Sequence, residues 1–318
     1  NMVLHDCPTA LIKCTGNSTL SDPQFTEDNG GLKQFDFIVA NPPFSSKNWS
    51  NGVYDTDGDE DTELPPNAVD YGRFKGFGIP PAKNGDYAFL LHMLRSLKSR
   101  GKAAVILPHG VLFRGNAEAE IRKNLIMRGY IKGIIGLPAN LFYGTGIPAC
   151  LIVLDKENAN NRKAVFMIDA SKGFMKDGPK NRLRAQDIHK IVDVFNKQLE
   201  LTKYSRIVPI QEIESKEYNL NLPRYIDSQE EEDIQDIAAH LQGGIPNRDI
   251  DNLSRYWSVY PSLKSVLFAP NERTGYSDLK MDKTNIKSTI FSHPEFEAYQ
   301  TKVLEVFDGW KEKTIPAL

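Results

Sequence analysis

Asn41-Pro42-Pro43-Phe44 places a carboxamide, two imino acids and an aromatic ring directly after an apolar run, Phe35-Asp36-Phe37-Ile38-Val39-Ala40. That set suits one chemical problem, the alkylation of an amine attached to an aromatic ring. The amine's lone pair is delocalised into the ring, so the nitrogen is a poor nucleophile. Two acceptors held beside its N–H groups, an Asn side-chain oxygen and a backbone carbonyl, draw it toward tetrahedral geometry. The lone pair then points at an electrophile. Proline fixes φ and carries no N–H, so Pro42 presents its carbonyl without a nearby competing donor. Phe44 offers a flat face on which a base stacks, worth roughly 1 to 3 kcal/mol. Orientation and polarisation do the work, and no strong base is needed, because the amine becomes acidic only after alkylation. The structural alternative is a strand stopped by Asn-Pro, with an aromatic packed beneath the turn.

The elements around this tetrapeptide follow from hydrophobic spacing. Phe35 to Ala40 reads as a strand buried on both faces of a parallel sheet. Residues 45–81 are rich in Gly, Pro, Asn and Asp, with an acidic patch at 55–61. A loop of that length inside a compact domain is often functional. Asp86 to Ser99 carries Phe89, Leu90, Met93, Leu94 and Leu97 at helical spacing, and Gly101 is the expected helix stop. Strands are expected at Ala10 to Cys14, Ala103 to Pro108, Ile131 to Leu137, Ala149 to Leu154 and Ala164 to Ile168. Helices are expected at Asn116 to Arg128 and Asp187 to Leu201. Strands alternating with helices indicate an α/β domain with a mostly parallel sheet, whose ligands sit at the carboxyl ends of the strands. Further on, Ser228 before Gln229-Glu230-Glu231 resembles a helix N-cap, and helical patterns recur at 247–268 and 294–311. Their charged faces suit solvated surface or a partner-docking platform.

Composition narrows the classes. The chain has 318 residues with 39 basic and 41 acidic side chains, a net charge of −2. No global field holds a polyanion, so nucleic-acid contact must be local or lent by a partner. Cys7, Cys14 and Cys150 show no paired metal spacing, and no metal is expected. A reducing, cytoplasmic setting fits them best. No apolar run approaches the roughly 18 to 20 residues of a membrane helix, so no membrane association is expected.

The tetrapeptide resembles that of amino-methyltransferases acting on adenine N6. The wider text resembles the modification subunit of type I restriction-modification systems. The matching segments are Phe35 to Phe44, Gly85-Asp86-Tyr87-Ala88-Phe89, Leu107 to Gly115, and Leu137 to Pro148. The likeness covers residues 1–225 well and the remainder more loosely. It implies an α/β fold: a Rossmann-like methyltransferase sheet dependent on S-adenosylmethionine (SAM), followed by a mainly helical C-terminal region. It implies methyl transfer from SAM to a flipped adenine in duplex DNA. The partners it implies are a specificity subunit, a second modification subunit and a restriction subunit. Asn41 and the Pro42 carbonyl would bind the amino group, with Asn41 also near SAM, and Pro43 and Phe44 would complete the catalytic turn.

Two departures qualify that picture. The family's Gly-rich loop after the first strand and the acidic residue at the second are not found, and Gly144-Thr145-Gly146 comes too late to replace the loop. Asn1-Met2-Val3-Leu4-His5 resembles the helix after the second strand, so the sheet is expected to be incomplete, its first strands absent. Strand 35–40 would then have an open edge, and the isolated chain would bind SAM very weakly and not methylate DNA. Asn17 stands where family members often carry an Asp near the SAM adenine; it is a cofactor candidate or a simple turn residue.

Phe142 and Tyr143 fall where a second aromatic meets the flipped base; the alternatives are core packing for Phe142 and surface for Tyr143. Asp86 reads as an N-cap in preference to a substrate contact, and His92 as structural. His109, Arg114 and Lys123 are candidate phosphate contacts or plain surface. The domain division expected is residues 1–170 for the partial catalytic domain, 171–227 for a connector with a helix, and 228–318 for the helical region. Two rival functions remain open: a protein-glutamine methyltransferase using the same turn, and an inactive fragment that docks to a specificity subunit.

Overall fold

A computed structural model describes residues 11–13, 16–53, 69–228 and 235–314. It comprises two units, Asn1–Glu230 and Glu231–Leu318. The first is built on a six-stranded sheet. Its strands are β1 (Phe35–Ala40), β2 (Leu97–Pro108), β3 (Ile131–Gly136), β4 (Ala149–Asp155), β5 (Ala164–Asp169) and β8 (Ser205–Pro209). Their order across the sheet is β1-β2-β4-β3-β5-β8. A short polar hairpin, β6 (Met175–Asp177) and β7 (Lys180–Arg182), stands apart from it. Helices α1 (Asp86–Arg95), α2 (Asn116–Met127), α3 (Ala185–Lys197) and α4 (Ile210–Ser215) complete the unit.

The sheet is mixed rather than mostly parallel. β1 with β2, and β3 with β5, are parallel; β4 runs antiparallel to both β2 and β3, and β8 antiparallel to β5. The reason lies in the connections. A parallel return needs a long crossover, and the segment between β3 and β4 contains no helix, so the chain turns straight back.

Alternation along the strands divides the core in two. Val105, Leu107, Ile134, Ile152 and Val165 face a large cluster completed by Leu90, Leu94, Ile121 and Leu125 of α1 and α2. Ile135, Phe166 and Ile168 face a smaller cluster with Val194 of α3, against which Ile106, Leu151, Phe44 and Phe142 also pack. β1 departs from expectation here. Ile38 and Ala40 reach the large cluster, but Phe37 and Val39, on the other face, are 77% and 83% exposed. β1 also forms one end of the sheet, pairing with β2 alone among the described strands.

Helix α1 stops at Arg95, and Gly101 lies inside β2 rather than at a helix end. Pairing decides this. Leu97 is buried and sits opposite Phe35, and the β1–β2 register shifts between Phe35 and Phe37. A Cβ on Gly101 would lie 3.0 Å from the Phe35 carbonyl oxygen, so glycine permits the irregular pairing. Of the expected strand at Ala10 to Cys14, residues 11–13 are not in a strand and the rest lies outside the described residues. The opening helix, the acidic patch and the helix start after Ser228 also lie outside them.

In the second unit, α5 (Ile237–Gln242), α6 (Asn247–Asn252), α7 (Ser254–Val259), α8 (Leu263–Leu267), α9 (Ile286–Phe291) and α10 (Pro294–Thr314) accompany a small antiparallel sheet. Its strands β9 (Ile245–Pro246), β10 (Phe268–Pro270) and β11 (Tyr276–Leu279) run in the order β10-β11-β9. The single pattern expected over 247–268 is three short helices. Pro261 lacks the N–H that a continuous helix needs, and it separates the second from the third. Among the described residues no helix is long and apolar enough to cross a membrane.

Candidate active site

Topology carries three sequence segments to one end of the sheet. Parallel β1 and β2 deliver Asn41 and His109 there as they finish, and antiparallel β4 enters from Pro148. The His109 amide donates to the Pro148 carbonyl at 2.9 Å, which ties the second and third segments together. Asn41 is exposed at its strand end, Pro42 half-buried and Pro43 exposed.

Immediately after Phe44 the chain adopts a left-handed turn at Ser45, with φ 49°. The Ser45 amide donates to Asp86 Oδ1 at 2.7 Å, and Arg114 Nη1 donates to Asp86 Oδ2 at 2.8 Å. Arg114 also donates to Glu118 Oε1 at 3.1 Å. Asp86 is fully buried, and it is the first residue of α1 rather than its cap, a position held by Gly85. The Gly85 amide in turn donates to the Ser46 carbonyl at 3.0 Å. A Cβ at Gly85 would lie 2.6 Å from Trp49 Cβ, so only glycine lets the helix start approach the segment after the tetrapeptide this closely.

Burial opposes the charge on Arg114, yet hydrogen bonds and charges from Asp86 and Glu118 raise its pKa. Burial pushes Glu118 up, with Arg114 partly offsetting it. Arg114 thus holds two carboxylates, and the phosphate role considered for it gives way to an internal one. Behind it, Arg122 donates to the carbonyls of Val111, Arg114 and Tyr218, and Tyr87 donates to Val111 at 2.8 Å. The Tyr87 hydroxyl and the Cys150 thiol are both pushed up by burial and stay neutral. Lys123 lies over the Tyr218 ring, 5.9 Å from its centroid.

Phe44 is half-buried, and its ring meets that of Phe142 edge to face, with centroids 5.8 Å apart at 75°. Tyr143 is 95% exposed. Phe142 and Tyr143 line a cavity of about 720 Å³ between the second sheet face and α3, with Ile106, Leu151, Ile191 and Asn181. The loop that carries them is held by residues that sequence reasoning missed. Lys180 Nζ donates to the carbonyls of Phe142 and Thr145 at 2.8 and 3.1 Å, and Asn181 Nδ2 to that of Ala139 at 2.7 Å. Strands of three residues, Met175-Lys176-Asp177 and Lys180-Asn181-Arg182, are too short to carry a hydrophobic period by which that hairpin could have been found.

His109 packs against Phe113, and its Nε2 is buried with no hydrogen-bond partner among the described residues. Burial pushes its pKa down, with Asp169 opposing. Asn17 lies exposed in a bend ahead of the buried Leu20. Among the described residues no group of three or more His, Cys, Asp or Glu side chains is placed to hold a metal ion.

A family model described as N-6 DNA methylase matches residues 1–234. The type I restriction enzyme MpnII methylase subunit of Mycoplasma pneumoniae is 30% identical over 295 residues, covering 90% of this chain and 48% of that protein. The MjaVII methylase subunit of Methanocaldococcus jannaschii is 30% identical over 246 residues, covering 76% and 40%. Among solved structures, the type I restriction-modification methyltransferase subunit from Streptococcus thermophilus aligns with a TM-score of 0.60 and 37% identity, over 72% of this chain and 45% of that one. The chain therefore spans less than half the length of these relatives.

Proposed function

The chain belongs to the N-6 DNA methylase family, and from that premise we propose that it serves a type I restriction-modification system as the catalytic part of its modification subunit. The reaction is methylation of adenine N6 in duplex DNA. The observation that carries this reading is the Asn41–Phe44 turn at the carboxyl end of a parallel strand, with Phe44 seated against Phe142.

An adenine inside a duplex cannot reach such a turn, so the base must leave the stack. The Asn41 side-chain oxygen and the Pro42 carbonyl accept from its two N6 hydrogens and aim the lone pair. Pro43 stiffens the turn, and Phe44 supplies the stacking face, with Phe142 and Tyr143 closing round the base. The alkylated amine then loses its proton to solvent, and no side chain needs to act as a strong base. S-adenosylmethionine, when bound, would supply an electrophilic methyl group, its S–CH₃ bond breaking as the N–CH₃ bond forms and its sulfur leaving as a neutral thioether. The exposed side-chain amides of Asn41 and Asn17 have the paired donor and acceptor that suit its polar ends.

A net charge of −2 supports reliance on partners for holding DNA. A specificity subunit reads the site, and a second modification subunit and a restriction subunit complete the assembly, in the cytoplasm. The test is incubation of the complete enzyme and its specificity subunit with unmethylated duplex and radiolabelled SAM, followed by nucleoside analysis. N6-methyladenine is the expected product. Label on a peptide glutamine instead, or on nothing, would overturn the reading.

A further inference from the structure

We propose that Asp86 is a positioning residue for the Asn41–Phe44 turn, its carboxylate clamping the Ser45 amide while Arg114 clamps the carboxylate. The proposal rests on the methyltransferase reading above. Ser45 occupies the left-handed backbone region at φ 49°, which any L-residue resists, so something must hold it there. The 2.7 Å bond from its amide to Asp86 is short and charge-assisted. The other oxygen of Asp86 is taken by Arg114 at 2.8 Å, with the Ser45 hydroxyl at 3.5 Å.

A second bond runs in the opposite sense, from the Gly85 amide to the Ser46 carbonyl. Residues 45 and 46 are thus clasped to the start of α1 by one accepted and one donated hydrogen bond. Phe44 is the residue immediately before the clasp, and Asn41 lies three residues earlier. The Asp86 carboxylate is fully buried and already engaged on both oxygens, so it orients the turn and touches no substrate. Two family-like segments, Gly85 to Phe89 and Leu107 to Gly115, meet at this one carboxylate together with Ser45, the residue that follows the tetrapeptide.

Asp86→Asn keeps the shape but turns an N–H₂ or a single weaker acceptor toward partners that both donate. In the complete enzyme, kcat for adenine methylation should fall by ~10²-fold, a larger change than any in the KM for SAM, as expected when a reacting group is misplaced by about an ångström. The Ser45 amide should also lose protection from hydrogen exchange, a readout that needs no activity. Adding Ser45→Gly should recover part of kcat, because glycine takes the left-handed backbone without the clamp. Unchanged Ser45 exchange in Asp86→Asn, or a kcat loss no larger than the loss of folded protein, would overturn the proposal. If Asp86→Asn does not fold, Arg114→Lys should retain more kcat than Arg114→Gln, since only Lys keeps a cation beside the carboxylate; equal kcat in both overturns it. A wild-type enzyme that leaves adenine unmethylated while Ser45 exchange still responds would overturn the functional reading and spare the clamp.

Discussion

The ring of Phe44 meets the ring of Phe142 edge to face at 5.8 Å, joining the turn after β1 to the loop between β3 and β4. Such a pair contributes roughly 0.5 to 1.5 kcal/mol beyond its buried area. Phe44→Tyr keeps the face and should be mild, whereas Phe44→Ala should raise the KM for DNA by weakening capture of the base. Phe142→Ala should act in the same direction through the lost edge contact. Steady-state methylation kinetics decide this, and identical constants in all three variants would remove both rings from the site.

Asn41→Ala should leave folding intact and lower methylation by ~10²-fold or more, the usual effect of deleting a positioned polar contact. Asn41 is exposed, so no core packing is lost. Matched thermal melts beside a rate assay separate the two effects. Near-wild-type turnover would end the catalytic assignment.

Gly85→Ala should destabilise the first unit by about 1 to 3 kcal/mol, the usual cost of overpacking. The new Cβ would lie 2.6 Å from Trp49 Cβ, an atom fixed to the backbone that cannot swing away. Trp49 is itself buried and donates to the Pro81 carbonyl, so relief must come from the backbone after the tetrapeptide. Urea denaturation would reveal the loss; an unchanged midpoint would show that this segment yields freely.

The pair His92 and Arg73 should make stability depend on pH. Burial, followed by the Arg73 charge, pushes His92 down from 6.5 to about 4. Arg73 Nη1 lies 3.4 Å from His92 Nδ1, which must therefore accept. Burial also lowers Arg73, to about 10. The folded protein binds fewer protons than the unfolded chain between those two His92 values. This contribution is therefore full above pH 6.5 and is lost as pH falls toward 4, by roughly 3 kcal/mol. His92→Gln keeps an acceptor that does not titrate. Its stability should fall less between about pH 7 and pH 4.5 than that of the parent; parallel curves would exclude His92 as the source.

Much of this protein could be read in one dimension. Short, mainly apolar runs such as Ala103 to Pro108 and Ile131 to Gly136 are strands, because a segment too short for a core helix buries most of its side chains in this way. The chemistry proposed for the tetrapeptide follows from residue type alone: an amide to accept, prolines to free a carbonyl, a ring to stack. Strand direction was not so written. β4 is antiparallel because its connection from β3 folds without a crossover helix and turns straight back, a fact about pairing partners rather than residue pattern. The role of Asp86 was hidden for a similar reason. At the start of a helix, Asp suits a cap, and only folding brings Ser45 and Arg114 to its two oxygens. The same holds for Arg114, which changes from a free surface cation to the centre of a buried network once Asp86 and Glu118 surround it. Local chemistry is set by residue type and nearest neighbours along the chain. The partners of a charge are set by contacts that span the fold, and these exist only after the strands have chosen their neighbours.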